Sequence, residues 1–227
     1  MLVEKFGPDG VTRALIDTSP DMRSQLLTAE VGELDAVVMT HSHADHLHGL
    51  DDIRQLVFNS GKRMPVWADA DTTNDLIARF GYAFVQPKGS DYPPICELNH
   101  IGEHSFAISG AGGDIEFIPL EVDHGRISAL GFRIGDLAYI PDVSDMPQET
   151  SDRIANLEVL VLDALRRKPH PSHIHLEKAL EWIARTKPTR AVLTNMHIDM
   201  DYATLEQELP EGITPAFDGM TIEIESP

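Results

Sequence analysis

Three imidazoles and a carboxylate crowd into six positions at His41-Ser42-His43-Ala44-Asp45-His46, just after Thr40. Random placement would give this pattern in roughly 0.002 of chains of this composition, so chance is a poor account of it. In an extended segment, residues two apart point the same way, so His41 and His43 can grip one metal ion. A turn into a helix would swing Asp45 and His46 toward a second ion close by. A neutral, solvated loop has no physical use for so many donors in so short a span. His48, two residues further on, reads as a surface residue.

Four donors cannot fill two ions, so partners are needed at the ends of other strands, where loops can reach the site. Three candidates meet that condition: His124, followed by Gly125; Asp142 in Tyr139-Ile140-Pro141-Asp142; and His197 in Thr194-Asn195-Met196-His197. Each alone has an ordinary reading as a turn residue or helix cap. Jointly they complete a site, His124 joining His41 and His43 on the first ion, His197 joining Asp45 and His46 on the second, and Asp142 bridging both. Two divalent ions, two carboxylates and a bridging hydroxide would leave a centre of roughly +1, attractive to anions. Metal binding lowers the pKa of water toward about 7, so a hydroxide nucleophile is available without a Ser or Cys. His and Asp donors suit zinc, manganese or iron, with zinc and manganese the expected ions.

The elements that must position these residues are short. The sequence predicts a hairpin from Leu2–Phe6 and Val11–Asp17 across the turn Gly7-Pro8-Asp9-Gly10. Further apolar runs at 36–39, 65–67, 115–120, 127–134, 137–140, 159–162 and 191–193 read as strands, each bounded by turn residues. Helical patterns cover 20–27, 45–58, 71–80, 147–157, 175–186 and 202–209. His100 and His104 read as residues of a glycine-containing loop. No composition break or repeat interrupts residues 1–227, so one domain with sheets inside and helices outside is expected.

Composition narrows the partners. Lys and Arg total 18 against 37 Asp and Glu, a net charge of −19, which repels nucleic-acid backbones. No run approaches the roughly 18 apolar residues of a membrane span, and the first ten residues show no export signal, so the expectation is a cytoplasmic protein without membrane contact. The single Cys96 fits a reducing compartment.

The ordered set His41-x-His43-x-Asp45-His46, His124-Gly125, Asp142 and His197 resembles the metallo-β-lactamase-fold hydrolases, from about Asp17 to Asp201. That resemblance implies an α/β (α+β) chain folded as a four-layer αββα sandwich around a dinuclear metal site. Leu15 to Asp21, His46 to Arg54 and Asn195 to Tyr202 are similar to the branch containing phosphoribosyl cyclic phosphate phosphodiesterase, a relative of ribonuclease Z. Against that branch the chain lacks a glycine-rich first strand. The Leu2–Phe6 strand is therefore expected at an edge, to be covered by upstream residues or by a second copy in a homodimer. The resemblance also implies that Asp17 orients a ligand histidine. It matches His173, in His170-Pro171-Ser172-His173-Ile174-His175, to a residue that contacts the scissile phosphate or protonates the leaving oxygen. A cap or surface role for His173 remains open; for His170 and His175 it is the preferred reading. Arg166, Arg167 and Lys168 read as a solvated charge run, with a basic rim to an anion site as the alternative.

The expected activity is hydrolysis of a small, cyclic or nucleotide-like phosphodiester, with His173 and Asp45 at the catalytic centre and a small anionic phosphodiester or nucleotide as partner. Thioester or lactam hydrolysis on the same fold, a ribonuclease Z-like activity, and a non-catalytic metal- or nucleotide-binding role are the competing readings.

Overall fold

Apolar runs bracketed by Gly and Pro do become strands, and in the computed structural model, which describes residues 1–224, they form two sheets in a mixed α/β chain. The chain divides into two compact units, Met1–Phe117 and a second starting at Ile118.

In the first unit, β1 (Leu2–Gly7) and β2 (Gly10–Ile16) form the expected hairpin, with Leu2 opposite Leu15. Next come β3 (Ala36–Val38), β4 (Met64–Ala68) and β5 (Cys96–His100), each parallel to its neighbour, in the sheet order β1-β2-β3-β4-β5. β1 thus lies at an edge, bonded to β2 on one side. All three residues of β3 are buried, as expected for a central parallel strand covered on both faces. The crossovers carry α1 (Met22–Thr28), α2 (Ala44–Leu47), a 3₁₀ turn over Leu50–Ile53, α3 (Arg54–Ser60) and α4 (Ala70–Phe84). Leu15, Met39, Leu47, Leu50, Ile53, Val66 and Leu76 form its core. β6 (Phe106–Ile108) pairs with the first residues of β7 (Ile115–His124).

The second unit takes up the rest of β7, then β8 (Ile127–Ile134) and β9 (Leu137–Ile140) as an antiparallel meander. Parallel strands follow: β10 (Val159–Asp163), β11 (Arg190–Thr194) and β12 (Ile213–Pro215). The connecting helices are α5 (Gln148–Arg153), α6 (Leu176–Thr186) and α7 (Tyr202–Glu208). Its core gathers Leu120, Ile140, Leu160, Leu162, Ile174, Trp182 and Leu193. Because β9, β10 and β11 run parallel, and β7 runs the same way two strands over, their C-terminal ends share one edge. Open α/β sheets place ligands at such an edge.

Several sequence expectations shift. The single helix expected over 45–58 is broken at Gly49, whose backbone N–H donates to Thr18 O at 2.8 Å. A Cβ there would sit 2.1 Å from Ser19 O, so only glycine allows this approach. His100 is not in a loop but ends β5, a strand whose Cys-Glu-Leu-Asn-His sequence has no β-branched residue to announce it. β7 runs on past Leu120 to His124, where Gly125 turns the chain at φ +67°. The short β6 and β12 carried no sequence signal of their own. Among the described residues, no helix is long and apolar enough to cross a membrane.

Candidate metal centre

The first unit presents its donors where β3 runs into α2. His41 is buried, with its ring 4.6 Å from that of His43 and 4.3 Å from that of His46 between centroids. Behind the rings stands Asp17, buried at the end of β2 in a left-handed conformation, φ 62°. Its Oδ1 accepts from Thr40 N at 2.8 Å, and its Oδ2 accepts from Thr40 Oγ1 and from His46 Nδ1, each at 2.8 Å. A carboxylate only accepts, so His46 carries its proton on Nδ1 and keeps the Nε2 lone pair. Thr40 Oγ1 has spent its single hydrogen on Asp17, so toward His41 Nδ1, 3.0 Å away, it can only accept. The same tautomer follows for His41. Asp45 lies out in solvent on α2, its Oδ2 3.6 Å from His46 Nε2.

In the second unit, four strand ends supply the groups. His124 Nδ1 donates to Ser172 O at 2.6 Å, which leaves its lone pair on Nε2. The turn that follows needs glycine, since a Cβ on Gly125 would meet Ser172 Cβ at 2.8 Å. His124 Nε2 stands 3.9 Å from Asp142 Oδ1, and His173 Nδ1 stands 3.5 Å from the same oxygen. Donor atoms of His124, Asp142 and His173 all lie within 4.8 Å of one another. The His124–Asp142 spacing is wide for a hydrogen bond and within the range of neighbouring ligands on one ion, roughly 3.4 Å on a tetrahedral one.

Asp163, at the end of β10, is fully buried. Its Oδ2 accepts from His173 Nδ1 at 2.9 Å and from Val143 N at 3.2 Å. Burial pushes its carboxyl up to about 6, against the pull of the His173 hydrogen bond, with the nearby charge of Asp142 adding to the rise. Two carboxylates buried side by side call for positive charge. Asn195, just after β11 at φ 57°, donates from Nδ2 to Asp142 Oδ1 at 3.2 Å and to Pro141 O at 3.3 Å. Lys178 on α6 braces the following loop through Ser144 O at 2.7 Å. His197 stands apart: its side chain is 55% exposed, and its Nδ1 lies 3.0 Å from Asp199 Oδ1. That hydrogen bond holds the Asp199 carboxyl below the usual range.

The residues fit divalent transition-metal ions. His41, His46, His124 and His197 each turn Nδ1 to an acceptor, the arrangement that aims a basic Nε2 at a metal. A buried carboxylate stands among the donors of the second unit.

Residues 12–198 match the beta-lactamase superfamily domain. The chain belongs to this superfamily. It is 34% identical to a diphosphatase of the PhnP family, whose crystal structure it matches at a TM-score of 0.85 over 95% of this chain and 81% of that one, and it is a member of that family. It is 33% identical over 220 residues to the octanoyltransferase of Porphyromonas gingivalis (strain ATCC BAA-308 / W83), a match covering 93% of this chain but 42% of that protein. The chain therefore spans less than half the length of this relative. The short form of human tRNase Z shares the fold at 16% identity and a TM-score of 0.66, covering 99% of this chain and 98% of that one. This is the fold of metallo-β-lactamase-type hydrolases, and it implies divalent metal ions.

In the first unit His41, His43 and His46 stand together, and in the second His124 and Asp142 do; Asp45 and His197 stand out from these groups in solvent. Asp17 hydrogen-bonds His46 and Thr40. His48 is exposed on the surface. Arg166 turns back on the carbonyls of Lys168 and Pro169, and Arg167 pairs with Glu208 at 2.7 Å, so neither guanidinium stands as an open basic rim. Sequence reasoning missed Asp163, Thr40 and the Asn195 side chain. Asp163 had a signal, an acid closing the apolar run Val159–Leu162, the same signature that marked Asp142.

Proposed function

We propose that the protein is a metal-dependent hydrolase of small phosphorus esters, a phosphodiester or diphosphate of cyclic or nucleotide-like kind. The residues that would hold two zinc or manganese ions are those of the sequence pattern: His41, His43, Asp45 and His46 in the first unit, and His124, Asp142 and His197 in the second. The observation that carries the reading is the set of histidines with Nδ1 tied to an acceptor, in a chain similar to a diphosphatase. The ions, when bound, supply Lewis acidity and lower the pKa of water.

The chain's own residues do the rest. His173, its Nδ1 donating to Asp163, would as the imidazolium pass the Nε2 proton to the departing oxygen. Water's oxygen bonds to phosphorus and loses a proton to solvent, the bond from phosphorus to the leaving oxygen breaks, that oxygen takes the His173 proton, and solvent returns a proton to His173. Asn195 and Asp17 keep Asp142 and His46 from rotating. The acidic surface disfavours long polyanions and leaves small anions as substrates.

The test is a substrate panel on protein stripped of metal and reloaded with zinc or manganese. It comprises bis-nitrophenyl phosphate, a cyclic ribose phosphate, a dinucleoside diphosphate, a glutathione thioester, an octanoyl thioester, a β-lactam and a precursor transfer RNA. Small phosphorus substrates should turn over, elemental analysis should find about two ions per chain, and strong chelators should abolish activity. A thioester consumed faster than every phosphorus substrate would move the protein to the thioesterase reading.

A further inference from the structure

The donor loop His41-Ser42-His43 is gripped from behind by α4. Asp75 and Arg79 stand four residues apart on that helix, hence on one face, and pair at 3.2 Å. Such a half-exposed pair contributes little to stability by itself. Here each member also holds Ser42: Ser42 Oγ donates to Asp75 Oδ2 at 2.5 Å, and Arg79 donates from its guanidinium to Ser42 O at 2.6 Å. The three side chains and one carbonyl close a ring. It fixes the residue between the two histidines at both its side chain and its peptide group.

We propose that Asp75 and Arg79 are positioning residues for metal binding, acting through Ser42; this rests on the metal reading given above. In extended backbone the side chain of Ser42 points opposite to those of His41 and His43. A clamp on Ser42 therefore sets the direction of both imidazoles without touching a ligand atom. His41 is already held by burial and by Thr40. His43 is exposed and caps the four-residue α2 in an extended conformation, φ −64° and ψ 153°. α4 is anchored to do this, since Asp69 caps its first turn by accepting from Thr72 N at 2.8 Å.

The sign of the effect separates positioning from simple charge. Arg79 is a cation near a cation site, so on charge alone its removal would tighten metal binding. A positioning role requires the reverse.

The test is a competition titration of zinc against a chromophoric chelator, on the full chain, for wild type, Arg79→Met, Arg79→Lys and Ser42→Ala, with thermal melts of the metal-free proteins. Arg79→Met and Ser42→Ala should each weaken zinc binding roughly tenfold, Arg79→Lys should recover most of the loss, and the metal-free melts should stay close to wild type. Equal or tighter zinc binding by Arg79→Met, or loss of affinity only in step with a lowered melt, would overturn the clamp while the metal reading stands. A wild-type chain that binds no zinc or manganese would overturn the metal reading and the clamp with it.

Discussion

Replacing Asp17 with asparagine alters one atom's hydrogen-bonding sense and should reverse two imidazole tautomers. The backbone N–H of Thr40 can only donate, so the oxygen of the new amide must face it and the amide nitrogen must take the place of Oδ2. That nitrogen then donates to both Thr40 Oγ1 and His46 Nδ1, where the carboxylate had accepted from both. His46 must move its proton to Nε2. Thr40 Oγ1, having lost its acceptor, turns its hydrogen on His41 Nδ1, and His41 must do the same. Both lose the lone pair that a metal needs, so zinc affinity should fall by about 10- to 100-fold.

Folding stability should barely change in that variant, because asparagine tolerates the left-handed backbone at this position and still satisfies Thr40 N. Asp17→Ala is the contrast. It strands a buried N–H, at about 1–3 kcal/mol, and places a Cβ-bearing residue without a local hydrogen bond at φ 62°, at about 1–2 kcal/mol more. The combined loss, around 3 kcal/mol, corresponds to a melt lowered by roughly 6–12 °C for a chain of this size. Zinc competition titrations and metal-free thermal melts on both variants give the four numbers needed. If Asp17→Asn binds zinc like wild type, the tautomer argument is wrong. If the two variants melt together, the backbone argument is wrong.

His173→Ala should keep its metal content while losing about 10²- to 10⁴-fold in turnover, and the loss should shrink on substrates with good leaving groups such as nitrophenolate. Loss of an ion in that variant would instead make His173 a ligand beside His124 and Asp142, whose donor atoms it approaches. Cys96 is fully buried and its thiol is pushed up to about 12, chiefly by burial. At pH 8 only about one molecule in ten thousand carries a thiolate there, so a thiol reagent should label the protein when denaturant unfolds it and not before. Rapid labelling of the native protein would contradict the buried position.

The histidines at 41–46, and His124 and Asp142 after their apolar runs, stood out in the sequence because each depends on local chain geometry; His197 stood out by the same rule, and the structure sets it apart. Two-residue alternation sets which side chains share a side, and a strand's end is marked by the turn residues that follow it. The same local rules placed most strands and helices. They could not show that Gly49 breaks a helix, because the cause is Ser19 O, thirty residues away. Nor could they show that Asp163 would lie under His173, that Asn195 would hold Asp142, or that Asp75 and Arg79 would close on Ser42. The bonds to Asp163 and Asn195 exist because β9, β10 and β11 run parallel and bring their C-terminal ends to one edge; the clamp exists because α4 lies against the β3–α2 loop. A sequence carries the donors and acceptors, but a hydrogen bond a few ångströms long between residues far apart in the chain is decided only when the sheet brings them together.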